Sequence, residues 1–84
     1  MLNLVELNLS DNLLTLSQAK KIALVLKDNP PLRVLDLSNN LLDGNSALLI
    51  SKALLTNTTL LELNLAKNKI GDYGVAIIVL PIAK

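Results

Sequence analysis

The side chains able to do covalent chemistry in this chain are few. There is one Tyr, and there is no His, Cys, Phe or Trp. Nucleophilic catalysis needs a nucleophile with a base beside it. Here only a Ser or Thr next to Lys or a carboxylate is left, and Ser51-Lys52 is the nearest such pair. Neighbours in sequence on a helix point in different directions, so this pair is not a dyad. Three isolated glycines make no phosphate-cradling loop. Asp11 and Asp36 lie among asparagines but lack a dedicated metal loop, so no metal or cofactor is expected. Without Cys there is no disulfide framework, zinc site or thiol chemistry. The residue types that do recur in a pattern are Asn, Asp, Glu and Ser, and those suit hydrogen bonding rather than a reaction.

The elements that must position them follow from a repeat. The stretch Leu-x-x-Leu-x-Leu-x-x-Asn occurs three times: Leu4, Leu7, Leu9, Asn12; Leu32, Leu35, Leu37, Asn40; Leu60, Leu63, Leu65, Asn68. Successive copies are 28 residues apart, so the 84 residues make three periods. A fixed period of this size means stacked units rather than one closed globule. Within each copy the Leu-x-Leu alternation is that of a half-buried strand. Strands one period apart can stack at about 4.8 Å as a parallel sheet, leucines inward. The Asn that follows sits where the chain turns, and a short amide there can bond backbone groups that would otherwise be buried unpaired. Asn12, Asn40 and Asn68 are therefore read as a structural ladder in preference to a binding row.

After the turn the apolar period becomes helical. Ala19, Ile22, Ala23 and Leu26 lie at i, i+3, i+4, i+7, and Ala47, Ile50, Ser51 and Leu54 at the same offsets. Ser17 and Asn45 are the expected N-caps. Asn29-Pro30-Pro31 stops the first helix, and Asn57-Thr58-Thr59 takes its place in the second unit. In the third unit Val75, Ile78, Val79 and Ile82 keep the pattern. Pro81 falls inside, so that helix is expected to end near Leu80 or to kink. On a helical wheel Leu48 and Leu55 flank the core, while Leu24, Leu49, Ile77 and Leu80 point outward as an apolar stripe.

These units resemble the ribonuclease-inhibitor-like class of leucine-rich repeats. The resemblance covers the whole chain, with Leu14, Leu42 and Ile70 at the next consensus apolar position. Asn68-Lys69-Ile70-Gly71-Asp72-Tyr73-Gly74 is especially similar to that class, which favours Gly at the place of Gly74; Gln18 and Ser46 stand there in the other units. The resemblance implies an α/β fold: a right-handed β-α solenoid of three strand-turn-helix units, with a parallel sheet on its concave side and helices on the convex side. It implies protein binding, as in ribonuclease inhibitor, innate immune sensors, a GTPase-activating protein for Ran and tropomodulins. The lack of Cys argues against ribonuclease inhibitor itself. The expected organisation is one leucine-rich repeat domain over 1–84, with repeats at about 4–31, 32–59 and 60–84, as a fragment of a longer array.

The ligand-facing surface would come from the non-leucine strand positions: Glu6, Asn8, Ser10, Asp11; Val34, Asp36, Ser38, Asn39; Glu62, Asn64, Ala66, Lys67. They carry four acids and one base, a charge of −3, while the rest of the chain carries seven bases and three acids, +4. Two readings stay open: a polar surface for a partly basic protein partner, or a solvated sheet face. Strong interfaces are anchored by aromatics and Arg. This face has no aromatic and only Arg33 at its edge, so tight binding by three repeats alone is not expected.

The expected role is a non-catalytic protein-interaction module. The alternatives are part of a GTPase-activating or other enzyme-regulating repeat protein, or a structural fragment with no function alone. Net charge is +1 and no aromatic lies among Lys20, Lys21, Lys27 and Lys52, so no nucleic acid is expected. No apolar run approaches the roughly 20 residues of a membrane span, and no secretory signal is visible. A cytoplasmic setting fits the lack of Cys. Self-association through uncapped ends or convex apolar residues is the last expectation.

Overall fold

The computed structural model describes residues 6–70 and 77–79. Six elements follow in order: β1 (Glu6–Asn8), α1 (Leu16–Lys27), β2 (Val34–Asp36), α2 (Gly44–Leu54), β3 (Glu62–Asn64) and β4 (Ile77–Val79). They form one four-stranded sheet in the order β1-β2-β3-β4. The first three strands are parallel, and each is shifted from the last by one period. Leu7 pairs with Leu35, and Leu35 with Leu63. The two helices cross back between these strands and pack side by side. This is a leucine-rich β-α solenoid.

The alternation of the strands decides what is buried. Leu35, Leu37, Leu63 and Leu65 face the helices and are sealed, while Val34, Asp36, Glu62 and Asn64 are half-buried on the other face. The helices contribute Ala19, Ala23, Leu26, Ile50, Ala53 and Leu54 to the same core, and the turns add Leu42 and Ile70. The buried apolar side chains among the described residues form one cluster. Aliphatic burial of this kind stabilises by about 25 cal/mol per Å².

Three expectations need correction. The helices start earlier than Ser17 and Asn45 would have them. Thr15 caps α1 and Asp43 caps α2, again one period apart. The reason is local. Each helix has two residues of capping type close together, and the earlier of each pair has the extended backbone that a cap requires. Ser46, which stands where the resemblance favours glycine, is the third residue of α2. It donates both its N–H (2.8 Å) and its hydroxyl (2.9 Å) to the Asp43 carboxylate. Gln18 does the reciprocal work in α1, accepting from the Thr15 N–H at 2.9 Å.

The outward stripe is also placed differently. Leu48 and Leu55 do not flank the core: they are 53% and 84% exposed. Leu49, expected outside, is half-buried and packs on the core. The buried face of α2 is turned about its axis toward Ala53, with Ser51, expected at a core offset, exposed beside Leu48 and Leu55. Leu24 does point outward.

The third correction concerns the last unit. Ile77–Val79 is a strand, not part of a helix. It runs antiparallel to β3, with Glu62 opposite Val79, Leu63 opposite Ile78 and Asn64 opposite Ile77. Ile-Ile-Val is a β-branched run that suits an extended pleat, and a helix there would have to absorb Pro81. A free edge of β3 supplies unpaired backbone groups that such a segment satisfies. So the end of the sheet at β3, expected to be open, is covered. Val75, Leu80, Pro81, Ile82 and the segment Gly71–Gly74 lie outside the described residues.

Candidate protein-binding face

The Asn ladder is a bonding system inside the stack. Asn40 is 5% exposed. Its Oδ1 accepts from the N–H groups of Asn12 (2.8 Å) and Leu14 (3.0 Å) in the preceding turn. Its Nδ2 donates to the carbonyls of Leu9, Leu37 and Ser38 at 3.0–3.1 Å. Asn68 repeats this one unit on, accepting from Leu42 and donating to Leu37, Leu65 and Ala66. Asn12 is exposed and, among the described residues, donates within its own turn, to Leu9 and Ser10.

A second Asn system lies on the helix-to-strand side, where the sequence reads only as a helix stop. Asn57 is only 1% exposed. It donates to the Leu26 carbonyl of the preceding unit at 2.8 Å and accepts from the N–H groups of Thr59 and Leu60. Its equivalent Asn29 has φ 53° and accepts from the Thr58 N–H at 2.8 Å. The available signal was the 28-residue spacing between the two asparagines.

The outer strand face is where the register gathers the candidate residues. Glu6, Val34 and Glu62 form one row, and Asn8, Asp36 and Asn64 the next. Each residue of the second row closes a small turn at its strand end. Asn8 Oδ1 accepts from the Ser10 N–H (2.9 Å) and hydroxyl (2.6 Å). Asp36 Oδ1 accepts from Ser38 and Asn64 Oδ1 from Ala66, both at 2.9 Å. One polar atom per residue is thereby committed, and the bonds fix which way each amide faces. The other atoms, Asn8 Nδ2, Asp36 Oδ2 and Asn64 Nδ2, have no partner among the described residues. They make a donor, a charged acceptor and a donor in a line.

Beyond the strand ends, Asp11, Asn39 and Lys67 share a left-handed backbone, with φ of 59°, 53° and 57°. Asp and Asn tolerate that region better than other residues, and Lys67 does so at a cost. All three are exposed, and the Asn39 amide donates to the Asp11 carboxylate. Ser10 and Ser38 are half-buried beside them. Among the described residues, no group of three or more Asp, Glu, His or Cys is placed to hold a metal ion, and no helix is long and apolar enough to cross a membrane.

A repeat that joins strands in register, turns on a buried Asn and returns through a helix has a counterpart among known families. A Leucine Rich Repeat family model matches residues 3–22 and 31–53, just over half the chain. The chain belongs to the leucine-rich repeat family. A second leucine-rich repeat model matches residues 56–78, so the third unit is included. No curated protein matches the chain. Leucine-rich repeat domains generally mediate protein–protein interaction and are typically non-catalytic.

Proposed function

We propose that this leucine-rich repeat chain is of the ribonuclease-inhibitor-like class and binds a protein partner on its outer strand face, centred on Asp36. In this reading 1–84 form one domain with repeats 4–31, 32–59 and 60–84, acting in the cytoplasm. The carrying observation is the row of Asn8, Asp36 and Asn64 on the outer strand face, each with one side-chain oxygen accepting a backbone N–H and its other polar atom without a partner among the described residues. Glu6 and Glu62 flank it, so the partner presents basic groups with carbonyl acceptors beside them. Fixed groups lose little freedom on binding, and complementary charge favours the basic partner's approach.

The test starts by panning a random peptide library against the chain and titrating the enriched peptides by NMR. Enriched sequences should carry net positive charge and shift amides in 6–12, 34–40 and 62–68. Asp36→Lys should weaken them at least about tenfold and flatten the salt dependence. Shifts confined to helix residues such as Lys21 and Leu49 would rule the face out.

A further inference from the structure

The outer face of the two helices carries a pattern that the fold does not require. α1 and α2 begin one period apart and pack side by side, so residues 28 apart are lateral neighbours. At three such positions the residue types alternate. α1 has Lys20, Leu24 and Lys27 where α2 has Leu48, Lys52 and Leu55. Each leucine on one helix thus stands beside a lysine on the other. All six are exposed, Leu24 by 64%, Leu48 by 53% and Leu55 by 84%. Lys20 and Lys27 stay exposed although α2 packs against α1. The equivalent Leu48 and Leu55 therefore stand on the outer face, not on a flank that stacking closes.

The charge is one-sided. Lys21 is exposed on α1 as well, and neither helix contains an Asp or Glu. The acids adjoining the helices are Asp28, which follows α1, and Asp43, whose carboxylate is taken up by Ser46. Glu6, Asp36 and Glu62 lie on the other side of the molecule, along the outer strand face.

We propose that this helical face docks on an anionic lipid surface, lying on the bilayer without spanning it. Leu24, Leu48 and Leu55 enter the boundary between headgroups and acyl chains, and the lysine ammoniums reach the lipid phosphates from the ends of their apolar stems. Charge and pattern select this occupant. A basic face free of acid matches an anionic leaflet. A partner helix needs a continuous apolar stripe to lie in, and the alternation of Leu with Lys breaks every stripe. A lipid surface has no fixed pattern of its own and accepts the alternation. A second copy would bring its acidic strand face to the lysines, but that face would bury the leucines against polar side chains. Docked this way, the strand face points away from the bilayer, and the proposal does not rest on the binding reading given for that face.

The experiment floats the natural chain with vesicles of phosphatidylcholine, with and without about one-third phosphatidylserine. The chain should partition onto the anionic vesicles at least about tenfold better than onto the neutral ones, and lose that preference as salt is raised. Lys20→Glu with Lys52→Glu should weaken partitioning at least about tenfold. Leu24→Gln with Leu55→Gln, at exposed positions, should leave the fold intact and weaken it at least about fivefold. Spin-labelled headgroups should broaden the methyl signals of Leu24, Leu48 and Leu55 and spare the amides of 34–36. Equal partitioning onto both vesicle types would overturn the proposal. So would an unchanged affinity in the leucine variant, which would mean that charge alone acts, as on any polyanion. Sedimentation of the natural chain as a dimer that Leu24→Gln dissociates would assign the face to a second copy and overturn it as well.

Discussion

Asn40 holds five hydrogen bonds across two turns while itself nearly closed to water. Truncating it strands buried backbone groups on both sides. Asn40→Ala should therefore cost about 1–3 kcal/mol in urea denaturation, and Asn57→Ala should cost the same. Asn12→Ala, at an exposed position, should cost less than about 1 kcal/mol. An unmoved midpoint for Asn40→Ala would contradict the ladder. The Asn12–Asn40–Asn68 row was legible because one residue type recurs at one spacing. Asn57 was not, because the prolines after Asn29 make that segment read simply as a helix stop. Asp43 adds a pH signature. The Ser46 N–H, and then its hydroxyl, hold the Asp43 carboxyl below its ordinary 3.8. A carboxyl lowered in the fold stabilises above its ordinary value and loses that effect as pH falls through the folded one. Asn caps helices about as well as Asp but does not titrate. The melting-temperature advantage of the natural chain over Asp43→Asn should hold near neutral pH and shrink on acidification below about pH 4. A pH-independent difference would show that the carboxylate charge is not engaged.

At the scale of elements, period alone carried the three parallel strands and the existence of two helices. It did not fix where α2 faces. The offsets that put Ser51 with the core misplace the buried face; Ser51 and Lys52 are exposed on the side of Leu48 and Leu55, while Ala53 is sealed. Ile50→Ala should cost about 2–5 kcal/mol by emptying a sealed position. Leu48→Gln and Leu55→Gln should stay within about 0.5 kcal/mol. A large loss at Leu48 would restore the wheel's assignment. The last unit misleads for a different reason. Val75, Ile78, Val79 and Ile82 satisfy a helical period, but β-branching and the free edge of β3 favour a strand. Through-space NMR contacts should connect Leu63 with Ile78, and Glu62 with Val79. Contacts of the i, i+3 kind within 75–79 would contradict β4.

Across the whole molecule, each unit is stable largely through its neighbours. The middle unit has a neighbour on both sides, and Leu35, Leu37, Leu42 and Ile50 are sealed there. The first unit keeps Leu7 and Leu9 only half-buried. Backbone amide exchange should therefore be slowest in 34–42 and clearly faster in 6–14. Equal protection in both would show that residues outside the described ones close the first unit.

The bonds that join units all span nearly one period: Asn12 to Asn40 is 28 residues, Leu9 to Asn40 is 31, and Leu26 to Asn57 is 31. The chain thus behaves like a screw thread whose pitch is written in residues. A single codon gained or lost between Leu35 and Asn40 throws both adjacent threads out of mesh, with the inward leucines turned to water. Twenty-eight codons gained together leave every thread engaged. Descent of such a gene is then constrained in its lengths before it is constrained in its letters, and heritable change in size comes in whole turns.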